Sequence, residues 1–135
     1  LAGTKGKADD FELNSISERG TVSVMSGDGA NSIRNAERLV LVYATNALNT
    51  GMEFATQNHA IRLKLGHWPP LLKTGRISFT LRNRNAAKLR LYALRFDGSR
   101  IQEIPLKKET ERVSGTIDTV NIKEGVPFFF ELSAR

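Results

Sequence analysis

The side chains of this 135-residue sequence that could carry chemistry are two histidines, scattered glutamates, one tryptophan and a run of arginines. His59 and His67 stand eight residues apart, at the two ends of one alternating segment. Zinc takes four N, S or O ligands at short spacing or from converging elements. With no cysteine in the chain, these two histidines would need carboxylates from elsewhere, so they read as loop-edge residues and no metal is expected. Glu37, Glu53, Glu103 and Glu131 are candidates for paired-carboxylate hydrolysis, which needs two carboxyls at a fixed separation. They fall on different segments with no sign that any two converge. Gly27-Asp28-Gly29 with Asn31 looks like the start of a calcium loop, but the run of oxygen ligands and the closing glutamate are missing, so it reads as a hairpin turn. No Gly-x-Ser-x-Gly elbow and no phosphate-cradling glycine loop occurs. The expectation is a chain that is not itself an enzyme and takes no cofactor.

Two features suggest binding instead. Trp68 stands between His67 and Pro69-Pro70 in what reads as a loop. An indole there is either a plug over the end of a sandwich, a contact to another domain, or a platform for a sugar ring. The reading favours plug or domain contact. Arg82, Arg84, Lys88 and Arg90 bracket Asn83 and Asn85 in what looks like a hairpin tip. Such a cluster suits a polyanion, but the interleaved aromatics of single-strand nucleic-acid binders are missing, so nucleic acid is disfavoured. The charge is concentrated in the same region: residues 60–108 hold twelve Lys or Arg against Asp97 and Glu103. The plainer explanation is that these are the polar exteriors of strands.

The elements that must position these residues alternate with period two. Arg76–Leu81, Ile61–Leu65 and Phe128–Leu132 each place apolar side chains on one face, as half-buried antiparallel strands do. Val113, Gly115 and Ile117 mark a weaker strand. Leu39–Ala44 is apolar throughout and reads as a strand covered on both faces. Asp97-Gly98 between Leu89–Phe96 and Ile101–Leu106 is a strong hairpin signal. Glycines and prolines punctuate the remaining runs. Gly29–Arg38 has too few apolar residues for a stable helix. Eight to ten strands fit the length, and the fold class expected is all-β, a two-sheet antiparallel β-sandwich of jelly-roll or immunoglobulin-like type.

The length suits one domain, residues 9–135, behind a flexible tail over residues 1–8. No apolar run reaches the roughly 18 residues that span a membrane, so no membrane partner is expected.

From Thr21 to Leu132 the chain resembles the C-terminal β-sandwich accessory module of barrel-type bacterial glycoside hydrolases. The residues that carry this, in order, are Thr21–Gly29, Glu37–Ala44, Asn49-Thr50-Gly51-Met52, Gly66 with Pro70-Leu71-Leu72, and Leu89–Leu94 followed by Asp97-Gly98 and Ile104-Pro105-Leu106. Lys73-Thr74 departs from the pair usual in that family. The resemblance implies a non-catalytic module of a carbohydrate-active enzyme that braces a catalytic barrel. It leaves glycan contact open, with Trp68 and Tyr43 as the carbohydrate or domain contacts, and implies a secreted or periplasmic location. The alternative is a polyanion-binding module, for acidic polysaccharide or nucleic acid, using the basic middle segment.

Overall fold

A computed structural model describes residues 6–29 and 32–135. Residues 1–5 of the expected tail, and Asn31, lie outside the described residues. The chain is all-β, and two five-stranded antiparallel sheets pack face to face. The first contains β1 (Gly6–Ala8), β2 (Phe11–Ile16), β9 (Arg76–Arg82), β13 (Arg112–Asp118) and β12 (Leu106–Glu109), in that order. The second runs β11 (Arg100–Ile104), β10 (Arg90–Leu94), β14 (Phe129–Ser133), β4 (Arg38–Ala44) and β3 (Thr21–Ser26). Between β4 and β9 the chain leaves the sandwich. There it forms β5 (Ala47–Thr50), paired with β8 (His67–Leu72), and β6 (Glu53–Phe54), paired with β7 (Arg62–Lys64).

Alternation sets the core. Ile77, Phe79 and Leu81 of β9 face Leu39, Leu41 and Tyr43 of β4, Leu91 and Ala93 of β10, and Phe130 and Leu132 of β14, all without exposed surface. Each such large apolar side chain contributes roughly 1.5–3 kcal/mol by leaving water. Phe11 stacks on Phe79 at 5.8 Å. In β4 the alternation is stricter than its composition suggests: Val40, Val42 and Ala44 are half-buried on the outer face, so the strand is covered fully on one side only. The weak strand at Val113–Ile117 is β13, in a central position. Gly6–Ala8 is not tail but an edge strand paired with Phe11–Leu13.

The hairpin at Asp97-Gly98 forms, with β10 antiparallel to β11. Its turn differs from the two-residue type with both central residues at positive φ. Gly98 alone is left-handed, at φ 85°, and its amide donates to the Arg95 carbonyl while Arg95 donates to Ser99. That is the longer turn closed by a glycine bulge.

The segment from Arg82 to Arg90 is not a hairpin tip. β9 and β10 lie in different sheets, and residues 83–89 cross between them. Asn83 organises the crossing from a buried site: its amide donates to the Ile33 and Ala36 carbonyls, and its oxygen accepts from Asn85 N. The Gly29–Arg38 segment holds a turn and no helix in its described part. Among the described residues no helix is long and apolar enough to cross a membrane.

Candidate functional site

The site is the excursion between the sheets, a β-arm spanning residues 46–73. Its base is closed locally: Lys73 N donates to the Asn46 carbonyl at 2.9 Å, and Thr45 Oγ1 donates to the Lys73 carbonyl. One ion pair, Lys73 to Glu18 at 2.7 Å, ties it to the sandwich. Beyond the base, Ala47, Leu48 and Asn49 pair with Leu72, Leu71 and Pro70. The register then jumps, because Thr50 pairs with His67 and leaves Trp68 and Pro69 as extra residues on the β8 side. Proline cannot donate to a ladder, so such a pair belongs at a bulge or an open edge. Thr50 Oγ1 caps the bulge by donating to the Pro69 carbonyl at 2.6 Å, and the Trp68-Pro69 peptide is cis. Gly66 makes the tight approach possible: its φ is 68°, and a Cβ there would fall 2.5 Å from the Thr50 carbonyl oxygen.

Trp68 is therefore not a plug. It sits in a strand rather than a loop, and 81% of its surface is exposed. Nor is Ile61–Leu65 a half-buried strand. Only Arg62–Lys64 is extended, and Ile61, Leu63 and Leu65 are 59%, 63% and 62% exposed. Leu71 is as open as these. A two-stranded ribbon has no second layer to cover it, so side chains that alternate correctly still find nothing to pack against. The arm thus presents several large apolar groups on one short element, which isolated soluble domains rarely do.

The tip turns back on itself. Ala55 N donates to the Ile61 carbonyl, and His59, at φ 58°, stacks on Phe54 with ring centroids 4.1 Å apart. A cleft of about 620 Å³ lies between the arm and the sandwich, lined by Glu18, Gly20 and Ala44 of the sandwich, by Asn46 and Lys73 at the base of the arm, and by Gln57 and His59 further out on it. A smaller hollow of about 300 Å³ lies on the ribbon itself, over Leu48, Met52, Leu71 and Leu72.

Tyr43, expected as a contact, is a core residue with no exposed surface. Its hydroxyl lies over Gly75, where a Cβ would come within 2.2 Å of it, and has no partner in hydrogen-bond geometry. Burial raises its pKa, Glu18 adds to the rise, and the nearby Ser17 hydroxyl only partly offsets it.

The four glutamates separate into distinct settings. Glu37 pairs with Arg135 and Glu53 with Lys64. Glu103 and Glu131 do share a face, contrary to expectation, because both are cross-strand partners of Tyr92. Glu131, though outward in register, is nearly buried, clamped by Arg38 at 2.5 Å and Arg100 at 2.7 Å. Burial alone would raise its pKa, but the hydrogen bonds and charges of the two arginines outweigh it and lower the value. A carboxylate held this way cannot serve as a proton donor near neutral pH. Arg100 also lies over the Tyr92 ring at 4.0 Å.

Asp28 is a turn residue: its carboxylate accepts from Glu37 N, Arg38 N and the Ser26 hydroxyl, closing the β3–β4 hairpin. His59 and His67 both lie on the arm, His67 with Nδ1 3.0 Å from the Trp68 carbonyl. No group of three metal-ligating side chains occurs among the described residues. Arg82, Arg84, Lys88 and Arg90 are all exposed, at the end of the sandwich away from the arm. The Tyr92 hydroxyl holds Arg90, and that bond, with Glu103 close by, raises its pKa.

The chain matches no family profile, no curated protein and no solved structure.

The sequence reading missed Ile61, Leu63 and Leu65 as surface groups. The available signal was Pro69-Pro70, which bars the adjoining segment from a sheet interior.

Proposed function

We propose that this chain is a non-catalytic β-sandwich module that docks through its arm onto a neighbouring domain. The observation that carries the reading is the exposure of Ile61, Leu63, Leu65, Trp68 and Leu71 on a ribbon with no layer behind it. Ordering such a ribbon costs conformational entropy that its own few contacts return poorly. A neighbour that buries those five side chains would supply the missing stabilisation. Contacts between domains typically bury on the order of 600–1,500 Å².

The resemblance to accessory modules of glycoside hydrolases names the neighbour: a catalytic barrel in a secreted or periplasmic carbohydrate-active enzyme, which the module braces. The test is to express the full product of the native gene with and without residues 47–72, these being replaced by Gly-Asn. Loss of several degrees in the melting temperature of the barrel, with the sandwich still folded, is the expected result. A gene that encodes no barrel, or a barrel indifferent to the arm, would sink the proposal.

A further inference from the structure

The outer face of the β1–β2–β9–β13–β12 sheet has an unusual composition. Its central strands β9 and β13 point Ser78, Thr80, Ser114 and Thr116 outward, in cross-strand register. The hydroxyls bond in pairs, Ser78 with Thr116 at 3.0 Å and Thr80 with Ser114 at 3.2 Å, and Asn14 donates to Thr80 at 2.8 Å. Each hydroxyl offers one donor and two acceptor sites, so these pairs leave bonding capacity facing solvent. A shallow hollow of about 480 Å³ lies over Asn14, Ser78, Ser114, Thr116 and Lys107.

This hydroxyl track ends on two arginines. Arg82 and Arg112 are direct cross-strand partners, both exposed, and neither pairs with a carboxylate among the described residues. Like charges directly opposed destabilise a sheet unless something of opposite sign bridges them. A second hollow, of about 450 Å³, is lined by this pair with Arg34, Glu109 and Glu111, of which Arg34 and Glu111 pair with each other. The surrounding end of the sandwich adds Arg84, Lys88 and Arg90. At the arm end the arginines are mostly spoken for: Arg76 by Asp118 and Arg95 by Glu124. Arg34, Arg38 and Arg135 also pair with carboxylates, which among the described residues leaves Arg82, Arg112, Arg84, Lys88 and Arg90 without an ion pair at this end.

We infer that this face binds an acidic polysaccharide, laid along β9 and β13, with sugar hydroxyls on the Ser/Thr track and a sulfate or carboxylate between Arg82 and Arg112. The one ring on these two strands, Phe79, turns inward, so they offer no aromatic surface for stacking bases, which separates this site from one for single-stranded nucleic acid. Glu12, the cross-strand partner of Thr80, and Glu109, that of Arg112, border the track, with Asp9 and Asp10 close to the two arginines, and these carboxylates limit the affinity. The site lies away from the arm and holds whether or not the arm docks.

The test is calorimetric titration at low salt with dextran sulfate, with neutral dextran, and with oligo-dT of equal charge. Dextran sulfate is expected to bind, dextran not to, and oligo-dT at least tenfold more weakly. Arg82→Ser with Arg112→Ser should weaken dextran sulfate binding tenfold or more and reduce the salt slope by about two. Arg19→Ser with Arg62→Ser, which removes two unpaired arginines elsewhere, should change it less than twofold. Glu109→Gln should tighten it twofold or more, which serves as an independent reading if the double arginine variant fails to fold. Equal losses from both arginine pairs, equal affinity for oligo-dT, or no response to Glu109→Gln would overturn the assignment.

Discussion

At the scale of single residues, Glu131 and Trp68 show how neighbours decide what a side chain is. Glu131 alternates outward in a strand, which by pattern makes it a solvated carboxylate; Arg38 and Arg100 from the two flanking sides close over it instead. Its depressed folded-state pKa means that its contribution is present above the unfolded carboxyl range and is lost as pH falls through the lowered value. Glu131→Gln should therefore cost on the order of 2 kcal/mol near pH 7, allowing for the partial exposure of both arginines. The gap to the parent should shrink in urea melts taken at successively lower pH below about 4. A gap independent of pH would show that the carboxylate charge does not matter. Trp68→Ala is the opposite case. A buried tryptophan would cost about 3–5 kcal/mol on truncation, whereas one this exposed should shift stability by no more than about 0.5 kcal/mol. A thermal melt of that variant separates the two outcomes.

Among the elements, the strands of the sandwich were legible because period-two alternation and core burial coincide in them. Arg76–Leu81 and the Asp97-Gly98 hairpin are the clearest examples. Ile61–Leu65 carries the same pattern and is exposed, since alternation records a two-faced strand without saying whether a second layer exists to cover it. The Arg82–Arg90 segment fails differently: a polar run between strands looks the same whether it joins neighbours in one sheet or crosses between two. The arm as an element makes its own prediction. Because its strands pair only with each other and its ends meet at Lys73 and Asn46, replacing residues 47–72 by Gly-Asn should leave the sandwich folded with cooperative unfolding. Far-UV circular dichroism and a urea titration of the trimmed chain check this. Loss of cooperative unfolding would mean that the arm belongs to the core unit.

Taken whole, the molecule is polar in the geometric sense, with apolar side chains exposed on the arm at one end of the sandwich and, at the other, Arg82 and Arg112 opposed without an ion pair among the described residues. Composition revealed the surplus of positive charge but could not place it, because ion pairing at the arm end removes much of what residues 60–108 contribute. The candidate residues were recovered unevenly for the same reason: Trp68 lies on the site, Tyr43 lies under it, and Arg112 joins Arg82 only through strand register. Docking through the arm, as proposed, requires Trp68 to be open in the free chain and covered in the complex. Trp68 is the sole tryptophan, so the chain labelled with 5-fluorotryptophan gives one fluorine resonance. Its solvent isotope shift should be that of an exposed indole in the free chain, and adding the proposed partner, a catalytic barrel, should move the resonance and abolish that shift. An indole already shielded in the free chain, or a resonance unchanged at every ratio of barrel, would rule out docking through the arm.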